Sequence, residues 1–496
     1  MRKLKKIRLH TVGALFVLVT LVIWARLVQI QIFERAYYLD RGKNQWEVTR
    51  EVPAVRGNIF DRNGRPLALS IRSCSVGIHP REVERPNEVV SVLARELQMS
   101  RTSVQKKLRS KSNFVWVHRQ CTLTEAARNR IRNLRGVTVE WEADRVYPYG
   151  AIAAKVVGFV GYDAKGGAGI EVALDAELRG KPGWEIVQRD GSYRSGGYHT
   201  YAEQKPIDGR HIVLTIDMDL QEIAEFELEQ AVIGTEAKSG ELIVMECATG
   251  DILALAEYPA PRNREGDCAI DSLWTIRSVS HMFEPGSTFK LITAAALLET
   301  DRVRTFDVFN AENGRADMEV AVIRDSHPYN FLTFREGFVF SSNIVMAKAC
   351  QLLEPLEFLK YIRLFGFGAK TNIRFLGESP GLVAPIDQWS DRTQITMAFG
   401  QEIAVTGVQL VNAYAAVAND GLLVTPRIVK SIIDEGSGKS QDFGPIKVRN
   451  VISKETARRL RGFCRSVVEE GTGKKAGLDY LEVCGKTGTA GKASAS

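Results

Sequence analysis

Between Leu9 and Ala25 the chain reads LHTVGALFVLVTLVIWA, a run whose single ionisable side chain is His10. A helix of that length covers about 25 Å, close to the ~30 Å hydrocarbon core of a bilayer. Arg2, Lys3, Lys5, Lys6 and Arg8 precede the run. Basic flanks stay on the cytoplasmic side, so residues 1–8 are expected inside and everything after about residue 28 outside. The helix is expected to continue through RLVQIQIF, with Arg26 snorkelling at the far interface. A cleaved signal peptide has a shorter apolar core and small residues at its cleavage site. Here the run is followed by Arg26-Leu27-Val28-Gln29. No second run of this kind appears, so the sequence predicts a single span over residues 9–28. A body on the outer side has no nucleic acid as a natural partner.

The rest of the chain must fold outside the membrane. With 496 residues, 45% of them hydrophobic, it can bury one large core and a smaller one. The net charge of +7 is uneven. Beyond the basic leader it gathers between Arg101 and Arg135, where solvated helix faces account for it. The seven cysteines are Cys74, Cys121, Cys247, Cys268, Cys350, Cys464 and Cys484. They are far apart, odd in number and form no C-x-x-C. This argues against a disulfide framework and a zinc site, and most are read as small buried hydrophobes. The histidines form no H-E-x-x-H, so neither a metal nor another cofactor is expected.

Two outer regions differ in texture. In 29–205, VRGNIFDRNGRPLALS reads as two strands around an Asn63-Gly64 turn. Residues 87–135 read as largely helical from their three- and four-residue apolar spacing. Dense glycines then mark loops and hairpins, including RDGSYRSGG. From 206 onward, HIVLTID reads as a strand and DMDLQEIAEFELEQAV as an amphipathic helix. ELIVMECATGDILALAEYP reads as a hairpin, followed by mostly helical sequence and a last strand, LEVCGKTGTA. Strands at both ends with helices between them predict an α+β domain, whose early strands pair with the late one.

Within it, HMFEPGSTFKLITAAALLE opens at Pro285-Gly286 and becomes apolar on all faces, as a helix in a domain centre does. Ser287 and Lys290, three apart, share a face of its first turn. A serine hydroxyl needs a base to become a nucleophile. A desolvated lysine serves, because burial disfavours its ammonium form. The helix N-terminus adds N–H groups for an oxyanion. Ser-x-x-Lys alone is a weak pattern: Ser103/Lys106 also fits it, in a charged, solvated stretch. Ser341-Ser342-Asn343 then opens a second apolar helical run, with a hydroxyl for proton transfer at Ser341 and an amide at Asn343. Lys486-Thr487-Gly488-Thr489 follows on the last strand. Lys486 would attract a substrate carboxylate and depress the pKa of a neighbouring Lys290. Thr487 and Thr489 offer hydroxyls to the same carboxylate, and Gly488 allows close backbone approach. Lys238-Ser239-Gly240 is a second decoy, out of order.

Ser-x-x-Lys, Ser-x-Asn and Lys-Thr-Gly in this order resemble the penicillin-binding proteins and serine β-lactamases. RGNIFDRNGRPLA, RVYPYG and GIEVALDAELRGKPG are similar to the N-terminal pedestal of class B enzymes. EPGSTFKLITAAALLE and FGQEIAVTGVQLVNAYAAVANDG are similar to their transpeptidase domain, nearest to the cell-division type. The resemblance implies an anchored α+β protein: a pedestal over 29–205, then a transpeptidase domain over 206–496. It implies that Ser287 attacks the carbonyl between two D-alanines of a peptidoglycan stem peptide, with Lys290 as base. Ser341 would relay a proton to the leaving amine, and Asn343 would hold the donor. Lys486, Thr487 and Thr489 would engage the terminal carboxylate, with the Ser287 and Thr489 N–H groups as oxyanion hole. β-Lactams would be covalent inhibitors. A SEDS-type glycosyltransferase and other divisome membrane proteins would be partners. The family follows its Lys-Thr-Gly strand with further strands and a helix, so the domain is expected to lack that last layer, leaving an exposed edge. Two rivals remain: a non-catalytic scaffold of the same fold, and a β-lactamase, against which the missing E-x-x-x-N and the anchor argue.

Overall fold

The computed structural model describes residues 2–161, 164–188, 200–261 and 272–490. The glycine-rich 189–197 stretch, Cys268 and the polar 491–496 end lie outside the described residues. The chain forms two compact units, Met1–Val55 with Gly180–Asp208, and Arg56–Arg179 with Gly209–Ser496.

The first unit begins with the helix Arg2–Val28 and a π-helical turn over Gln29–Phe33. Ile7–Phe33 is long and apolar enough to cross a membrane, and none of its residues is buried in the described structure. The helix thus runs through RLVQIQIF as its composition predicts. A second helix, Arg35–Trp46, leads into Glu47–Val52, which pairs antiparallel with Gly183–Gln188. That strand pairs in turn with Thr200–Gln204.

The second unit is built on a seven-stranded sheet. Ile59–Phe60 and Pro66–Ile78 form the expected antiparallel hairpin. Its turn is fixed by Asp61, whose Oδ1 accepts from the N–H of Asn63 and of Arg65 at 2.8 Å each. Gly64 supplies the positive φ of 85°, which costs a glycine little. Ile59–Phe60 also runs parallel to His211–Leu214, which pairs with Val429–Asp434. One sheet therefore joins the early hairpin to the region that carries the motifs.

At the far side Pro66–Ile78 pairs with Val137–Val146 and Val115–Cys121. Val115–Cys121 corrects the largely helical reading of 87–135. VWVHRQC alternates, with Val117 and Cys121 buried, and β-branched and aromatic side chains suit a half-buried strand. The helices Pro86–Glu96, Arg101–Leu108 and Glu125–Arg132 flank it, and Val89, Val90, Leu93, Val104 and Ile131 fill its core.

Charge joins the parts of this unit. Arg56 is buried against Glu171 and Asp175 at 2.7 Å each, and Arg145 reaches Glu171 at 2.7 Å. Lys155, also buried, meets Glu257 at 2.7 Å.

At the centre stands the helix Lys290–Glu299, with every residue from Lys290 to Leu298 buried. Around it pack residues of the helices Phe334–Val339, Asn343–Cys350, Pro355–Leu364, Gly407–Ala418 and Lys454–Glu469. The helix Met218–Gly234, capped by Asp217, lies against the hairpin Gly240–Met245/Ile252–Tyr258 through Ala224, Leu228 and Val232.

One expectation fails. LEVCGKTGTA makes no strand, and the early strands do not pair with it. Among the described residues 482–490 carry no ladder, and Gly240–Met245 and Ile252–Tyr258 form a two-stranded sheet of their own, with one further bridge from Asp251 to Arg427. A strand exists only where a neighbour returns its hydrogen bonds. Here the Gly485 N–H donates instead to the Cys464 carbonyl on the Lys454–Glu469 helix, at 3.1 Å. Among the six described cysteines all are free, with Cys74, Cys121, Cys350 and Cys464 buried, Cys247 half-buried and Cys484 exposed.

Candidate active site

The Ser287 turn is shaped by glycine. Gly286 (φ 55°) donates to the Gly400 carbonyl at 3.1 Å, and Gly400 has φ 82°. A Cβ on Gly400 would stand 2.1 Å from the Gly286 carbonyl oxygen, and one on Gly286 would stand 2.6 Å from that of Thr489. Only glycine permits this approach. The chain then makes a 3-10 turn over Gly286–Phe289 and enters the buried helix at Lys290. Ser287 is half-buried at its start.

Lys290 is fully buried, and its Nζ donates to the Ser341 carbonyl at 2.6 Å and to Ser341 Oγ at 3.2 Å. Burial first, and then the Lys486 charge, hold its pKa well below the ordinary lysine value; the Asp325 carboxylate opposes them more weakly. An uncharged amine is what a base needs to be at neutral pH.

Ser341 is held at φ 61°, a left-handed conformation that non-glycine residues adopt at a cost. It sits where the Phe334–Val339 helix ends and Ser342 caps the next, Asn343–Cys350. The device that fixes this corner is Asp325. Its Oδ2 accepts from the Ser342 hydroxyl at 2.5 Å, and its Oδ1 from the N–H groups of Asn343 at 2.6 Å and Ile344 at 3.1 Å. Asn343 Nδ2 donates to the Arg324 carbonyl at 2.9 Å. A carboxylate at a helix N-terminus is favoured by the helix dipole and by the unpaired N–H groups. Nothing in local spacing links Asp325 to residues seventeen positions on, so sequence reading missed it.

Lys486 Nζ donates to Ser341 Oγ at 2.9 Å and to the Thr487 carbonyl at 3.0 Å. Burial lowers its pKa to about 8. A Cβ on Gly488 would lie 2.7 Å from Thr288 Cγ2 and 3.3 Å from the Pro285 carbonyl. Gly488 is thus needed for packing against the Ser287 turn. Thr487 Oγ1 lies 2.6 Å from Thr472 Oγ1, and Thr489 is exposed. The structure brings Ser287, Lys290, Ser341, Asn343, Lys486 and Gly488 into one corner. Tyr414, which carries no motif signal, adds a hydrogen bond from its hydroxyl to the Thr288 carbonyl at 2.8 Å. The decoys stay apart: Lys106 is exposed on its own helix, and Lys238 and Ser239 lie in an exposed turn.

A serine at a helix start, a lysine of lowered pKa one turn on, and a second cation sharing a hydroxyl with it are an arrangement that can carry acyl transfer. Comparison with known proteins agrees. Residues 240–496 match the family model of the penicillin binding protein transpeptidase domain, and 51–214 that of the penicillin-binding protein dimerisation domain. The chain is 33% identical to the penicillin-binding protein PbpB of Mycolicibacterium smegmatis, over 97% of this chain and 80% of that one. It is 28% identical to the peptidoglycan D,D-transpeptidase FtsI of Escherichia coli, over 94% and 78%. Among solved structures, penicillin binding protein 3 of Mycobacterium tuberculosis complexed with aztreonam superposes with a TM-score of 0.66 at 28% identity, over 86% of this chain and 80% of that one. The chain belongs to the class B penicillin-binding proteins.

Proposed function

We propose that this protein is a serine-type peptidoglycan D,D-transpeptidase, a reading supported by the transpeptidase-domain match and the named activity of its relatives. Ser287 attacks the carbonyl between the two D-alanines of a stem peptide, and Lys290, its pKa lowered by burial, takes the hydroxyl proton. The developing oxyanion is held by the N–H groups of Ser287 and Thr489. The C–N bond breaks, and Ser341 passes a proton to the departing D-alanine amine. Asn343 holds the donor peptide, while Lys486, Thr487 and Thr489 engage its terminal carboxylate. Gly488 keeps this segment close against the Ser287 turn. An amine of a neighbouring stem then attacks the acyl-enzyme, forming the cross-link and returning the proton to Ser287. A β-lactam acylates Ser287 and stays. The observation that carries the reading is the convergence of Lys290 and Lys486 on Ser341 Oγ beside the Ser287 turn.

The apolar Ile7–Phe33 helix supports a single-pass anchor in the bacterial cytoplasmic membrane, N-terminus inside. Residues 29–205 serve as the pedestal for the transpeptidase region over 206–496. Likeness to FtsI supports a septal role, with a SEDS-type glycosyltransferase and other divisome membrane proteins as neighbours. The test is fluorescent penicillin on membranes holding this chain, beside Ser287→Ala. A covalent band lost in the variant is expected. No band from well-expressed, inserted parent would refute the catalytic reading and leave a scaffold.

A further inference from the structure

Arg315–Asp317 and Val322–Arg324 form a small antiparallel hairpin in which Arg315 stands directly opposite Arg324, and Ala316 opposite Ile323. Ala316 and Ile323 are buried and pack with Ile344 and Ala347 of the Asn343–Cys350 helix. The period of two in a strand then puts both arginines on the other face, where both are exposed. Like charges directly opposite across a ladder are destabilising. Among the described residues neither guanidinium has an ion pair, a hydrogen bond or a ring contact. Asp325 is engaged with Ser342, Asn343 and Ile344, Glu312 with Lys348, and Asp317 with the Glu319 N–H. The pair also lies at the rim of the motif corner, because the Arg324 carbonyl accepts from Asn343 Nδ2 at 2.9 Å.

We propose that Arg315 and Arg324 form a subsite for a carboxylate of the peptide substrate, distinct from the terminal carboxylate assigned to Lys486 and Thr487. The inference rests on the transpeptidase reading for the identity of its ligand. Two guanidinium forks bind a carboxylate with planar, charge-assisted hydrogen bonds. An anion between them would remove the repulsion that the hairpin otherwise carries. Asn343, one hydrogen bond away, would then hold the backbone of a peptide whose acidic group is held by the hairpin. The pair would select among stem peptides by whether that internal carboxylate is free or amidated.

The test uses the full chain in detergent micelles with Ser287→Ala, so that peptide is bound and not turned over. Two synthetic peptides ending in D-Ala-D-Ala are compared by calorimetric titration, one with a free internal carboxylate and one with that group amidated. The free acid is expected to bind about tenfold tighter, the scale of one charge-assisted hydrogen bond. That advantage should vanish in the Arg315→Gln/Arg324→Gln variant and survive in part with lysine at both positions. Matching melting temperatures verify that the variants are folded. Equal binding of the two peptides, no measurable binding of either, or an advantage that survives Arg315→Gln/Arg324→Gln would each overturn the subsite. Penicillin uptake at Ser287 of the parent is scored separately. A parent that takes up penicillin yet binds both peptides alike loses the subsite and keeps the transpeptidase reading. A parent that takes up none but discriminates between the peptides loses the reading and keeps the subsite.

Discussion

Lys290 and Lys486 donate to the same atom. The Ser341 hydroxyl oxygen receives the first ammonium nitrogen at 3.2 Å and the second at 2.9 Å. Two cations on one acceptor is an arrangement that burial and mutual repulsion resolve by releasing a proton. Lys290, the more deeply buried, releases it first.

Acylation by penicillin should therefore be bell-shaped in pH. It rises as Lys290 loses its proton, at a pH well below the ordinary lysine value of 10.5. It falls as the Lys486 cation is lost, near its pKa of about 8. In Lys486→Gln the neighbouring charge that lowers Lys290 is gone, so the acid limb should move to higher pH and the alkaline limb should disappear. Stopped-flow acylation across pH 5 to about 10 measures both limbs. An unmoved acid limb would contradict the coupling.

Lys290 also costs stability. Burial holds its pKa well below the ordinary lysine value in the folded protein but not in the unfolded chain, so the unfolded state binds more protons and stability rises with pH up to about 10.5. Lys290→Met should melt higher than the parent at pH 7, with an advantage that shrinks as the pH approaches that value. An advantage independent of pH would point to packing alone.

Asp325→Ala should remove the anchor of the Ser341 corner. The loss of hydrogen bonds from Ser342, Asn343 and Ile344 is worth about 2 kcal/mol of stability. The penicillin acylation rate should fall about tenfold or more, since Ser341 is then free to leave its φ of 61°. Asp325→Asn keeps an acceptor for the N–H groups and should recover part of the rate. Equal rates in Asp325→Ala and the parent would show that the corner holds without it.

Gly400→Ala should strike the Ser287 turn from behind. Its Cβ would meet the Gly286 carbonyl oxygen at 2.1 Å while φ stays at 82°. The backbone conformation alone costs about 1–2 kcal/mol, and relief of the clash displaces Ser287. Penicillin labelling should be lost at a temperature where circular dichroism still shows a folded protein. Full labelling would mean that the turn tolerates the shift.

Lys155→Ala tests the charge that ties the early segment to the catalytic region. Glu257 is buried, with Lys155 at 2.7 Å and Arg277 at 3.5 Å. Removing the nearer cation leaves a poorly compensated buried charge, expected to cost about 3–5 kcal/mol. Urea unfolding of the solubilised protein measures it.

Much of this protein is legible in one dimension because the relevant forces act along the chain. The Leu9–Ala25 run announces, by its length and lack of charge, a helix long and apolar enough to cross a membrane. The helix after Ser287 is apolar on all faces, and it is buried throughout. The Asn63-Gly64 turn and the Gly240–Tyr258 hairpin follow from local backbone preference. Ser287 and Lys290 share a turn because a helix repeats every 3.6 residues. Other features depend on partners far away in sequence. Val115–Cys121 is a strand because Pro66–Ile78 lies beside it, and LEVCGKTGTA is none because no neighbour among the described residues returns its hydrogen bonds. Asp325 and Tyr414 enter the site through contacts that span 17 and 126 positions. The motif residues and the chemistry expected of them could be named from sequence, but the packing behind that chemistry could not. Lys290 is an ordinary cation until the packing of several helices removes its water, and only that tertiary burial lowers its pKa well below the lysine value.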